Sequence, residues 1–151
     1  AESYWVDYNQ GLTHPIEVTM TTNMDQLTNW LKERKITEVE CMISDLTGIA
    51  RGKIAPTSKF IAEKGMRLPE SVLLQTVTGD YVDDEVYYEL LDAADIDMFC
   101  RPYQNAAFLL PWAAEPTAIV IHDTFDKQGN PRELSPPNIL QKILKMYEDK
   151  G

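Results

Sequence analysis

Residues 38–45 alternate between apolar and polar with a period of two, and no other local pattern constrains this 151-residue chain as tightly. Val39, Cys41 and Ile43 fall on one face, while Glu38, Glu40, Met42 and Ser44 fall on the other, which predicts a half-buried strand. Leu46-Thr47-Gly48 reads as a turn, and Ile49 to Ala55 returns as a partner strand. Pro56 has no N–H for a ladder and stops the pairing. Residues 38–55 therefore read as a hairpin.

The flanking segments carry helical and strand signals in an order that sets the fold class. Before the hairpin, Asn23 can cap a helix in which Leu27, Trp30 and Leu31 follow Met24 at helical spacing, with Lys32 to Lys35 as a basic last turn. After it, Thr57 or Ser58 can cap a short helix over Lys59–Lys64 that ends on Gly65. Three further strands are predicted at Met98–Arg101, Ala107–Leu110 and Thr117–His122, separated by proline-bearing turns. Between them, residues 66–94 give no clear period: Pro69-Glu70-Ser71 is followed by an apolar and then an acidic stretch. Helix, hairpin, short helix and more strands make an α+β order, not an alternating βαβ one. Lys127-Gln128-Gly129-Asn130-Pro131 is a turn, and Pro136-Pro137 precedes an amphipathic helix with Ile139, Leu140, Ile143, Leu144 and Tyr147 in one stripe. That stripe has no partner in the remaining sequence, which reads as a domain cut just past its boundary, with the helix expected to fray or pack on another copy. Residues 1–22 are polar and Thr-rich without a period and read as an extended arm, and Ala1 in place of Met reads as processing or truncation.

Charge and composition narrow the function classes. Hydrophobic residues are 44% and charged residues 25%, the range of a soluble globular domain. Fourteen Lys and Arg against 24 Asp and Glu leave a net charge of −10, which disfavours nucleic acid and anionic membrane as partners. The longest nearly apolar run, Ala106–Ala114, is too short to span a bilayer and contains Pro111. Cys41 and Cys100 lack CxxC spacing and read as buried thiols of a reducing, cytoplasmic compartment. A structural zinc would require both to converge with His14 and His122, 108 positions apart.

No motif assembles a self-contained active site, so the catalytic assignment for this stretch is none, and the metal assignment is none. Gly48-Ile49-Ala50-Arg51-Gly52-Lys53 departs from the phosphate-binding GxxxxGK[ST] loop in glycine spacing and in having Ile54 where Ser or Thr should stand. No nucleophile elbow surrounds a serine, and His122 ends an apolar strand as a satisfied or edge histidine. Asp80, Asp83, Asp84, Glu85, Glu89, Asp92, Asp95 and Asp97 form an acidic stretch without EF-hand spacing, which reads as a solvated face. Arg51, Lys53, Lys59, Lys64 and Arg67 form an opposed basic stretch.

The order of short motifs carries more than their chemistry does. Ser44-Asp45-Leu46-Thr47-Gly48 leads to Arg51-Gly52-Lys53 and Pro56, then Asp95-Ile96-Asp97-Met98, Leu110-Pro111-Trp112 and Pro116–Ile121. Asp123, Gly129, Pro131 and Ser135-Pro136 follow. In this order the chain resembles the amino-terminal β-grasp domain of the glutamine synthetase family, followed by the first helix of its catalytic domain. The resemblance covers residues 23–151. It implies an α+β, β-grasp domain with a mainly antiparallel mixed sheet at 23–124, an arm at 1–22, and the truncated start of the catalytic domain at 125–151.

The same resemblance implies an ATP-dependent ligase that joins the γ-carboxyl of glutamate to ammonia or another amine, with ATP and Mg2+ (or Mn2+) as cofactors of the whole enzyme. Its metal ligands and phosphate-binding arginines would lie beyond this stretch, which alone is expected to be inactive. The β-grasp domain of such a homo-oligomeric ring helps close the neighbouring subunit's active site. Ammonia-using members carry Asp-Gly-Ser-Ser where this chain has Leu68-Pro69-Glu70-Ser71, and a Trp-Gly segment where it has Thr76–Tyr81. This departure resembles the γ-glutamylpolyamine (γ-glutamylputrescine) synthetase branch and makes Glu70 and Ser71 the candidate amine-binding residues, offered to the adjacent subunit. The acidic stretch would then favour cationic amines. A noncatalytic β-grasp interaction module or pseudoenzyme is the alternative.

Overall fold

The structure, a computed structural model, describes residues 3–6, 13–16, 23–83, 85, 89 and 95–151. These contain β1 (Ser3–Val6), β2 (Thr13–Ile16), α1 (Met24–Glu33), β3 (Glu38–Ser44), β4 (Ala50–Pro56), α2 (Thr57–Glu63), β5 (Met66–Pro69), a 3₁₀ turn (Glu70–Leu74), β6 (Asp97–Leu109), β7 (Thr117–Phe125) and α3 (Pro136–Glu148). Strands β1 and β2 form an antiparallel pair, and five strands hydrogen-bond in the order β4-β3-β7-β6-β5. The α+β class expected from the element order is the class observed. The chain divides into two compact units: Ala1–Cys41, Lys53–Lys64 and Pro102–Ile121, and Met42–Gly52, Gly65–Arg101 and His122–Gly151.

In the first unit, α1 starts where the cap signal places it. Asn23 is extended and its Oδ1 accepts the Gln26 N–H at 2.9 Å, satisfying one of the orphan donors of the first turn. Leu27, Trp30 and Leu31 are buried on one face. Along β3, whose residues after Cys41 belong to the second unit, Val39, Cys41 and Ile43 are buried and their neighbours half-exposed, as a period of two requires. Helix α2 begins at Thr57, two residues earlier than expected, and no side chain caps it. The cap position falls on Pro56, which has no polar side chain to offer, and of the orphan donors of the first turn the Thr57 N–H goes to the Thr37 carbonyl at 2.9 Å. Lys64, at φ +56, closes α2 in the left-handed conformation.

Burial pushes the Cys41 thiol up to about 12, with Lys53 pulling slightly the other way and Glu63 adding to the rise. At pH 8 its thiolate fraction is then on the order of 10⁻⁴. Iodoacetamide should therefore leave Cys41 unmodified in the folded protein and alkylate it fully in urea. Peptide mass spectrometry reads both results.

In the second unit, β5 pairs antiparallel with β6 in the register Met66↔Cys100 to Pro69↔Asp97. This strand falls in the part of the sequence without a readable period. The two strands expected at Met98–Arg101 and Ala107–Leu110 are one 13-residue strand that runs through Pro102. Asn105, at φ +56, resets the buried face within it: Met98 and Cys100 are buried before it, Ala106 and Ala107 after it. Likewise β7 runs on to Phe125, so His122 lies inside the strand, 2% exposed, and not at its end. The 126–130 turn is closed by Asp126 and Asn130, whose backbones pair at 2.9 Å.

Helix α3 starts with Pro136 and Pro137 in its first turn, where the missing N–H groups cost nothing. Its predicted stripe stands largely in solvent, with Leu140, Ile143, Leu144 and Tyr147 all exposed. None of the described helices is long and apolar enough to cross a membrane.

Candidate functional site

Glu70 opens the 3₁₀ turn directly after β5, and it is gripped from both sides. Its own N–H donates to the Ile96 carbonyl at 3.2 Å. The next residue, Ser71, is fully buried; its N–H and hydroxyl donate to Asp95 Oδ1 and Oδ2 at 3.0 and 2.8 Å. A two-oxygen acceptor of this kind fixes both position and orientation of the turn. Asp95 itself holds φ +44, so backbone strain is accepted to aim that carboxylate.

Glu70 is only 5% exposed. An isolated carboxylate is not kept at such a place without a partner, and here the partner is Arg132. Both Arg132 Nε, at 2.7 Å, and Nη2 donate to Glu70 Oε1. Arg132 follows the 126–130 turn, with its N–H on the Thr124 carbonyl at 2.9 Å and its own carbonyl accepting from Asn138 Nδ2 at 2.8 Å. Glu70 and Arg132 line a cavity of about 240 Å³ together with Asp97, Asp126, Lys127 and Gln128 and the apolar Ile96, Met98 and Phe125. Three carboxylates against two cations leave this small cavity net anionic. Hydrogen bonds from the Asn130 side chain and from the backbone of the turn hold the Asp126 carboxyl below the usual carboxylate range.

A second polar network belongs to the Asp45 motif. Asp45, 1% exposed, accepts the Thr47 N–H at 2.9 Å, the Thr47 hydroxyl at 2.8 Å and the Ile49 N–H at 2.8 Å on Oδ1. Arg51 Nε donates to Oδ2 at 2.7 Å, and Arg51 Nη2 reaches the Thr76 carbonyl at 2.7 Å. This motif braces the hairpin turn to the 76–80 loop; both carboxylate oxygens are already bonded, so its role is structural. Of the basic stretch, Arg51 is thus consumed internally, Arg67 lies over the Phe99 ring at 4.7 Å, and Lys59 faces Glu63 at 3.9 Å on the surface. Of the acidic stretch, Asp83, Glu85 and Glu89 are exposed, Asp95 holds Ser71 and Asp97 lines the cavity, while Asp84 and Asp92 lie outside the described residues.

Glu70 and Ser71, singled out in the sequence, therefore sit side by side with different surroundings: Glu70 on the cavity wall, Ser71 buried behind it. Sequence reasoning misses Arg132 and Asp126. Arg132 lies 62 positions from Glu70, and no local pattern links them.

No protein-family model matches the chain. Its sequence is 30% identical to Lengsin from Canis lupus familiaris over 154 residues, taking in 100% of this chain and 25% of that protein. It is 25% identical over 125 residues to a glutamate–isopropylamine ligase from a Pseudomonas species, covering 82% of this chain and 27% of that one. The structure superposes on the Plasmodium falciparum glutamine synthetase with a TM-score of 0.63 at 17% identity, covering 89% of this chain and 24% of that one. The chain therefore shares the fold of a glutamine synthetase and is similar in sequence to Lengsin and to a glutamate–isopropylamine ligase. It spans about a quarter of the length of the relatives it matches.

Among the described residues no three His, Cys, Asp or Glu side chains are grouped to hold a metal ion. The described residues offer a binding site at the Glu70 cavity.

Proposed function

We propose that this chain is the amino-terminal part of a glutamine-synthetase-type ligase that joins the γ-carboxyl of glutamate to ammonia or a larger amine at the expense of ATP, with Mg2+ or Mn2+. The observation that carries this reading is the anionic cavity at Glu70, one of the two residues proposed for amine recognition. Ammonium and protonated amines are hydrogen-bond donors without acceptors, so they need a wall of carboxylate oxygens such as Glu70, Asp97 and Asp126 provide. Ser71 serves the same site by fixing the turn through Asp95. The name of the Pseudomonas relative pairs glutamate with isopropylamine, which supports an acceptor larger than ammonia; a polyamine is the acceptor this reading favours. The domain works in a homo-oligomeric ring, in the cytoplasm, with its cavity turned to the adjacent subunit's active site.

The test is steady-state kinetics of the full-length protein carrying Glu70→Gln. A charge-assisted hydrogen bond is worth about 1.5–3 kcal/mol, so the amine KM should rise roughly 10- to 100-fold. The glutamate KM should stay within about twofold, because uniform loss of folding would move both. An unchanged amine KM removes Glu70 from the site. A full-length protein without ATP-dependent γ-glutamyl transfer to any amine overturns the ligase reading in favour of a noncatalytic module.

A further inference from the structure

We infer that Arg132 is the positioning residue of the amine cavity, orienting the Glu70 carboxylate and tying it to the first turn of α3; this rests on the reading of Glu70 given above. Both guanidinium N–H groups fall on Oε1, so Oε2 is the oxygen that Glu70 has to offer a ligand in the cavity. Nearly buried carboxylates need a compensating cation to stay ionised, and a planar guanidinium supplies the charge while fixing the carboxylate plane. Arg132 is itself held through its backbone on both sides. Its N–H is on the Thr124 carbonyl of β7, and its carbonyl takes the Nδ2–H of Asn138, a residue only 7% exposed in α3. The chain of contacts Asn138–Arg132–Glu70 therefore sets where Oε2 stands. Lys127, the other cation on the cavity wall, has no such anchoring among the described residues.

The test compares Arg132→Ala, Arg132→Lys, Asn138→Ala and Glu70→Gln in the full-length protein. Arg132→Ala should raise the amine KM about tenfold while kcat changes by less than about threefold, since the guanidinium acts through Glu70 and not on the reacting atoms. Arg132→Lys should recover part of that loss, supplying charge without the fork, and Asn138→Ala should reproduce a smaller share of it. Millimolar guanidinium added to Arg132→Ala should lower its amine KM, and the same addition should do nothing for Glu70→Gln. In the double variant the two effects should fail to add. If Glu70→Gln raises the amine KM while Arg132→Ala and Arg132→Lys leave it unchanged, the positioning role is overturned and the amine site stands. If Glu70→Gln leaves it unchanged as well, the amine site itself falls. Should Arg132→Ala fail to fold, Arg132→Lys decides: an amine KM equal to that of the natural protein overturns the inference.

Discussion

Replacing Gly65 with alanine should destabilise the protein by more than about 3 kcal/mol, the largest single-residue effect expected of any glycine here. The cause is a close approach of two backbones. A Cβ on Gly65 would stand 2.1 Å from the Cys100 carbonyl oxygen, and that oxygen belongs to β6, paired with β5 one residue further on at Met66↔Cys100. Relief requires moving one strand off the other, which breaks the ladder that presents Glu70. Gly65 also holds φ +130, which L-residues rarely adopt. Gly48 gives the control. Its φ of +81 is left-handed too, but a methyl group there would meet nothing within 4 Å, so Gly48→Ala should cost only about 1 kcal/mol. Urea unfolding of both variants separates strain from steric conflict. A Gly65→Ala protein within about 1 kcal/mol of the parent would show that β5 can shift freely.

Asp45→Ala should cost about 3–5 kcal/mol, because it strips one carboxylate from four donors and leaves Arg51 with its partner gone. The same carboxylate should give the protein an acid limit. Burial alone would raise its pKa, but the bonds from Arg51, Thr47 and Ile49 outweigh that and hold it below the ordinary value. A folded pKa below the unfolded value of about 3.9 means the unfolded chain binds more protons on the acid side. The stabilisation is therefore complete above about pH 4 and is lost as pH falls through the lower, folded value. Asp45→Asn keeps the shape and removes the titration. Its urea midpoint should be lower than the parent's at pH 7, and the gap should narrow below pH 4. A gap of constant size from pH 7 down to pH 2.5 would exclude Asp45 as the titrating group.

These two networks also explain which parts of the molecule can be read from the chain. Helix α1 and the β3–β4 hairpin are legible because their signals are local. Asn23 meets its donor three residues on, Leu27, Trp30 and Leu31 share a face through helical geometry, and Asp45 bonds within the next six residues. The apolar stripe of α3 is legible for the same reason. The continuity of β6 is not, since Pro102 locally argues for a break, yet the strand, set between β7 and β5 in the sheet, runs through it to Leu109.

The candidate site divides along the same line. Glu70 and Ser71 can be singled out from the motif order, because the loop they occupy is contiguous in sequence. Their environments cannot: Asp95 reaches Ser71 across 24 positions, and Arg132 reaches Glu70 across 62. Hydropathy period and capping act over one or two turns of chain, and they place elements without saying which distant side chains will meet. Charge compensation at a nearly buried carboxylate is instead settled when β5, β6 and the end of β7 are brought together. That assembly turns Glu70 from one acid among 24 into the cavity carboxylate that Arg132 holds.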